Sequence, residues 1–385
     1  MIKMTQVFDN GKIVIQVLNR NNYEGYFVGG CVRDYLLKRK IKDVDITTNA
    51  TPDVIEQLFK KTIDVGKEHG TIIVVMNGEP IEVTTYRSES EYSDRLDDDL
   101  KHRDFTMNAI AMNEELVVYD PYEGQADIKN QLIKTVGFAK ERFEEDALRM
   151  LRALRFSTQL KFQIHHSTFE AIIQHASSIQ HVSIERIMSE IKKMYESNHI
   201  NQNKQQIIDS SLFNFMPVFK QFNQELYLNF KTNNFPEEIA TQIYFEHVDV
   251  ERLTELRISN DEINEIKLIL KILMHHQSYK DARILSYDFE KSLLERSLKL
   301  INENQVILST DTTNLEFAIS ISDDLPIKSI KDLAINGRDI MAITNRGPGP
   351  WLKETLQKIV YLVVTDQLEN TTEQLNEWVS QHVKD

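Results

Sequence analysis

The chain has 385 residues, enough for two to four domains, and its 27% charged and 41% hydrophobic residues give the balance of a soluble folded protein. A net charge of −14 excludes a general nucleic-acid coat, so any polyanion has to be held at a local site. No run approaches the roughly eighteen apolar residues of a membrane span, residues 1–10 carry no signal-peptide pattern, and the single Cys31 excludes an internal disulfide and fits a reducing cytoplasm.

In chain order, Ile13, Val14, Val17 and Leu18 predict a first amphipathic helix. Residues 26–28 predict a strand, Gly29-Gly30 a turn opening a helix with Arg33 and Asp34, and a second strand holds Asp43 and Asp45. Thr51-Pro52-Asp53 is a helix start, with Thr as N-cap and Pro in the first turn. Residues 62–65, 71–76 and 80–86 read as strands, and Asn77-Gly78 marks a hairpin between the last two. Residues 88–101 are polar, acidic and aperiodic, which predicts a loop. A helix over 105–112, a strand over 116–119, a turn at 120–124 and a strand near Ile133 follow. From Lys140 onward helical periodicity takes over, with one apolar stripe at Ala147, Leu148, Leu151 and Leu154 and another at Ile184, Ile187, Met188, Ile191 and Met194. The polar run 198–206 predicts a break between helices, and N-R-G-P-G-P-W-L-K at 345–353 a rigid turn with an aromatic and two cations. The fold class is therefore α+β, a mixed-sheet N-terminal part followed by helices.

Strand alternation sets Asp43 and Asp45 on one face while Val44 and Ile46 face the core, and two carboxylates that close repel unless a hard cation such as Mg²⁺ joins them. Alone, such a pair is more often a solvated strand edge. The preceding Gly29-Gly30 turn changes this, because free backbone N–H groups and Arg33 on the first helical turn suit phosphate. A phosphate site beside a metal site is what nucleotidyl transfer requires. Glu82 is either a third carboxylate or an ordinary strand-face acid. Arg103, where a loop becomes a helix, is either a triphosphate contact or a surface ion-pair partner.

In E-D-A-L-R-M-L-R-A-L-R-F from Glu145, Asp146, Arg149, Arg152 and Arg155 drift around one helix side, away from the leucines. That is either a solvated, ion-paired face or a reader of base edges. Cytosine and adenine both show an amino donor beside a ring-nitrogen acceptor, and an Asp acceptor next to an Arg donor would take them and refuse uracil and guanine.

These residues together resemble the bacterial class II tRNA nucleotidyltransferases, the CCA-adding enzymes, a family that also includes bacterial poly(A) polymerases. The matching stretches are G-G-C-V-R-D from Gly29, D-V-D from Asp43, R-D-F-T-M-N-A-I-A from Arg103, D-P-Y-E-G from Asp120 and the stretch from Glu145; the tail around Trp351 is similar to the Gram-positive branch. The resemblance implies a catalytic head over 1–139, a helical neck over 140–198, a body over 199–300 and a tail over 301–385, with tRNA held along their length. It implies that Asp43 and Asp45 hold Mg²⁺, that Gly30, Arg33 and Arg103 contact the triphosphate, that Asp146 and Arg149 select the base, and that Arg152 and Arg155 support nucleotide and phosphate. The implied activity is template-independent addition of C, C and A to the tRNA 3′ end from CTP and ATP. His102 stands where the family usually has an arginine, and the segment between Tyr86 and Arg103 is shorter than in many members. The short segment leaves a CC-adding enzyme open, followed by a poly(A) polymerase. From another class, a non-catalytic RNA-binding scaffold has no need of the Asp43/Asp45 and Asp146/Arg149 pairs. A homodimer is left open.

Overall fold

A computed structural model of the chain describes residues 6–88 and 92–383. The chain divides into two compact units, Met1–Lys220 and Gln221–Asp385. In the first, the strands are β1 (Gly25–Val28), β2 (Asp45–Thr48), β3 (Thr62–Gly66), β4 (Thr71–Met76), β5 (Glu79–Thr85), β6 (Ala111–Met112) and β7 (Val118–Tyr119). They form one sheet in the order β3-β4-β5-β2-β1-β6-β7, in which β2 and β5 pair in parallel and every other pair is antiparallel. A second, two-stranded parallel pair joins β8 (Leu132–Ile133) to β9 (Gln163–Ile164). The helices are α1 (Asp9–Arg20), α2 (Gly30–Leu36), α3 (Pro52–Leu58), α4 (Leu96–Lys101), α5 (Gly124–Lys129), α6 (Ala139–Glu145), α7 (Leu148–Leu160), α8 (His166–His175), α9 (Ile184–Tyr195) and α10 (Ile200–Asp209).

The hairpin forms as expected: Met76 pairs with Glu79, and Asn77 and Gly78 take φ of 51° and 89°, the two left-handed positions a type I′ turn needs. Helix α1 packs on the sheet through Gly11, Val14, Ile15 and Leu18, whereas Ile13 is exposed, so the buried stripe is turned from the expected one. Gly11 sets that turn, since a Cβ there would meet the Phe27 ring at 2.4 Å.

Three other expectations are corrected. Residues 96–101, expected in a loop, form α4, because Leu96 and Leu100 lie one helical turn apart and pack on Val28 and Ala111. Residues 105–112, expected as a helix, form a single 3₁₀ turn, Thr106–Asn108, and then β6; pairing of Ala111 with Val28 and of Met112 with Phe27 claims the segment for the sheet. The expected break at 198–206 is largely α10, whose buried Ile200, Lys204 and Ile207 keep a helical stripe that a lysine conceals in the sequence. The abbreviated segment between Tyr86 and Arg103 includes residues 89–91, which lie outside the described residues.

The described residues of the second unit are helical. One of its cores gathers Ile335, Ile340, Ile359, Val363, Leu375 and Val379. The helix Asn260–His275 starts with a capping box, Ser259 with Glu262, and packs on Phe235–Tyr244. The Gly-Pro turn expected near 345–353 is present: Arg346 stacks over the Trp351 ring at 4.5 Å, the Trp351 Nε1–H donates to the Gly347 carbonyl at 3.0 Å, and Pro350 opens the helix Pro350–Val364. No helix of the described residues is long and apolar enough to cross a membrane.

Candidate active site

Strand β1 runs into Gly29, whose φ of 73° is open to glycine at little cost. A Cβ at Gly29 would stand 3.2 Å from Nη1 of Arg103 and 3.9 Å from Oδ2 of Asp45, so the bare turn leaves room for a cation and a carboxylate on either hand. Gly30 then opens α2, which carries Arg33. The Arg33 guanidinium is nearly buried and donates to Oδ1 of Asn108 at 2.9 Å and to Oδ1 of Asp34 at 3.0 Å. Arg103 donates to Oδ2 of the buried Asp99 at 3.1 and 2.9 Å, so α4 holds its side chain against the turn.

Asp45 is the first residue of β2; Asp43, expected on the same strand, is exposed and lies just before it. Burial first, then the charges of Glu82 and Asp43, push the Asp45 carboxyl up to about 6, against the pull of Arg103 and Arg33. Glu82 is the register partner of Asp45 across the parallel pair, yet it is exposed, and among the described residues no three such ligands converge on one point. The donors Asp43 and Asp45 are oxygens only, and the repulsion recorded on Asp45 is what a divalent cation relieves. The pair therefore fits a hard metal. These carboxylates open onto a cleft of about 590 Å³ that is also lined by Arg33, Lys40, Lys42 and Arg155.

The stretch expected to read bases differs from expectation at its start. Asp146 is extended backbone between α6 and α7, with φ −151°, and α7 carries only Arg149, Arg152 and Arg155. Its Oδ1 accepts the Leu148 backbone N–H at 3.1 Å and its Oδ2 accepts Arg186 of α9 at 2.8 Å. Arg149 turns elsewhere: it pairs with Glu145 and donates to the carbonyls of His102 at 2.7 Å and Arg142 at 3.2 Å. The expected Asp146–Arg149 side-chain pair is thus not made; Asp146–Arg186 is. His102 sits 3.7 Å from Glu145, the acid that also takes Arg142.

Arg152 and Arg155 belong to a buried network linking the glycine turn to α9. Arg152 donates through Nε at 2.8 Å and Nη2 at 2.7 Å to Oδ2 of Asp104, and Asp104 in turn accepts from Asn108, the residue that receives Arg33. Arg155 pairs with Glu190 at 2.5 Å, and Arg33, Arg152 and Arg155 all lie over the Phe156 ring, at 5.0, 5.5 and 3.9 Å. Glu190 escaped the sequence reading, although it stands three residues after Ile187 inside an otherwise apolar stripe, where an acid needs a buried partner. Truncating it strands Arg155, so Glu190→Ala is expected to lower stability by about 3–5 kcal/mol in urea unfolding, with Glu190→Gln costing less.

Asp104 gives a pH signature. Burial alone would raise its carboxyl, but Arg152, Asn108 and the Phe105 N–H hold it at about 2. A lowered carboxyl contributes stability that is complete above its ordinary range and is lost as pH falls from about 4 toward 2. Asp104→Asn is expected to remove roughly 1 kcal/mol of that acid loss between pH 5 and pH 3, read from urea midpoints at the two pH values.

Residues 25–134 match the family of Poly A polymerase head domains, 161–223 that of the RNA- and SrmB-binding site of polymerase A, and 239–379 that of tRNA nucleotidyltransferase domain 2. The head-domain match covers the whole of the sheet from β1 to β7, and the chain is a nucleotidyltransferase, a type of enzyme that generally uses a divalent metal. The chain is 40% identical over 398 residues to the CCA-adding enzyme of Staphylococcus haemolyticus, spanning 99% of each chain, and 41% identical over 397 residues to that of Staphylococcus epidermidis, spanning 98% and 99%. It belongs to the family of CCA-adding enzymes. The crystal structure of the Bacillus stearothermophilus CCA-adding enzyme in complex with CTP superposes with a TM-score of 0.84 at 33% identity, over 98% of this chain and 97% of that one. The Thermotoga maritima CCA-adding enzyme complexed with tRNA shares the fold, with a TM-score of 0.64 at 21% identity over 98% and 96%.

Proposed function

We propose that the protein rebuilds the 3′-CCA end of tRNA in the cytoplasm, adding C, C and A from CTP and ATP without a nucleic-acid template and with Mg²⁺ as its metal. The observation that carries this is that Asp45 and Arg103 both come within 4 Å of the place a Gly29 Cβ would take, in the unit that also carries the Asp146-to-Arg155 segment. In each addition the tRNA 3′-oxygen bonds to the α-phosphorus, the bond from that phosphorus to the bridging oxygen breaks, and pyrophosphate leaves. Asp43 and Asp45 would hold Mg²⁺, which would supply positive charge to lower the hydroxyl pKa and to stabilise the leaving pyrophosphate. Arg33 and Arg103, with the Gly30 backbone, hold the triphosphate in line. Asp146 and Arg149 read the base, for which Arg149 exchanges its carbonyl partners for base atoms, and Arg152 and Arg155 brace the helix and the phosphates.

Neither CC-only addition nor poly(A) synthesis is favoured, because the relatives that match nearly end to end are named CCA-adding enzymes. A scaffold without catalysis would have no use for a carboxylate pair held in repulsion. The test is metal removal: chelation should stop transfer of labelled CMP to tRNA, and Mg²⁺ in excess should restore it. Transfer that persists through chelation would contradict the metal assignment.

A further inference from the structure

Helices α7 and α9 lie side by side, and the contacts between them rise together in number: Asp146 with Arg186, Arg155 with Glu190, and Gln159 with the Lys193 carbonyl. Arg186 and Glu190 are four residues apart on α9, one turn on the same face, so α9 offers the base-reading segment a cation and then an anion. Glu190 takes up Arg155 and also lies 3.7 Å from Arg152. Arg186 takes up Asp146. No residue of α9 has a part in the chemistry described so far.

The state of Asp146 makes Arg186 matter. Asp146 is off the helix, its backbone tied to the Arg142 carbonyl and the Arg149 N–H, and among the described residues its carboxylate is held by two hydrogen bonds, from the Leu148 N–H on Oδ1 and from Arg186 on Oδ2. It also feels the charge of Arg152. Without Arg186 the carboxylate can rotate toward that neighbouring cation, and its acceptor lone pairs then leave the direction a base amino group must approach. With Arg186 in place, each oxygen keeps a second lone pair in one orientation. The Arg186 side chain is 54% exposed against 29% for Asp146, so the arginine is the more solvent-facing partner of the pair.

We infer that Arg186 is a positioning residue for base selection, holding the Asp146 carboxylate in the orientation that accepts the amino group of cytosine or adenine. This rests on the base-selecting role of Asp146 proposed above. An exposed ion pair of this kind is worth up to about 1 kcal/mol, which converts to about a fivefold change in a ratio of rates.

The experiment measures kcat/KM for CTP and for UTP on tRNA ending at the discriminator base, in the full-length parent, Arg186→Ala, Arg186→Lys, Asp146→Ala and the double variant. Arg186→Ala should lower the CTP-over-UTP ratio about fivefold, mainly through the KM for CTP, and Arg186→Lys should recover part of it. In the Asp146→Ala background, removing Arg186 should change the ratio no further. A merely structural arginine would alter melting temperature or both nucleotides alike, and that result overturns the inference. If Asp146→Ala relaxes the ratio while Arg186→Ala leaves it intact, the positioning role falls and the base-selecting role stands. If Asp146→Ala itself leaves the ratio intact, both fall. Should Arg186→Ala melt early, Arg186→Lys carries the same comparison.

Discussion

Asp45→Asn is expected to cut nucleotide transfer by at least about three orders of magnitude, some 4 kcal/mol of transition-state stabilisation, while the protein still folds and still binds tRNA. The amide has the same shape but no charge for the metal. Folding should not suffer, because among the described residues the carboxylate makes no ion pair within 4 Å and is held among Glu82 and Asp43, whose charges oppose it. The Asp45 carbonyl, which accepts the buried Cys31 thiol, is untouched. Asp43→Ala should behave alike, although Asp43 is exposed and contributes less to the fold. The measurement is single-turnover transfer of labelled CMP together with a melting curve and a tRNA binding isotherm. Substantial transfer by either variant would remove the carboxylates from the chemistry, and an inactive variant that also melts early would leave stability as the cause.

Asp146→Ala is expected to lower the preference for CTP over UTP by about 10- to 100-fold while the variant still transfers CMP. Discrimination of this size arises when an acceptor faces a donor on the right base and another acceptor on the wrong one. The same substitution removes the contact to the Leu148 N–H at the start of α7, which should lower stability by about 1 kcal/mol. Selectivity and stability separate in a series: Asp146→Asn keeps a carbonyl acceptor for Leu148 and loses the charge. An unchanged CTP-over-UTP ratio in Asp146→Ala would refute base reading by this side chain.

Much of the site was legible because its chemistry is local. The glycine turn, Asp45 at the start of β2 and Arg103 occupy short stretches whose backbone needs, a positive φ at Gly29 and a strand from Asp45, are written in a few residues, whereas Asp43 falls just outside that strand. What the sequence could not supply is the set of partners. Asp104 under Arg152, Glu190 under Arg155 and Arg186 on Asp146 stand 48, 35 and 40 residues from their partners, and the last two pairings are decided by the packing of α9 against α7. Asp99 is only one helical turn before Arg103, but that turn reads as a loop in the sequence. A helical drift of four charges suggested one continuous helix from Glu145, but the chain breaks at Asp146, and there the carboxylate turns away from Arg149. The errors in the fold have the same origin. Leu96 and Leu100 among three aspartates read as a loop, and 105–112 read as a helix, because their fates depend on contacts with β1 that period alone does not register.

The most direct measurement is to incubate tRNA ending at its discriminator base with the protein, CTP, ATP and Mg²⁺, and to sequence the 3′ ends. The expected ends are C-C-A, with C alone added when ATP is withheld. Ends that stop at C-C with ATP present, a long A tract, or no addition at all would contradict it.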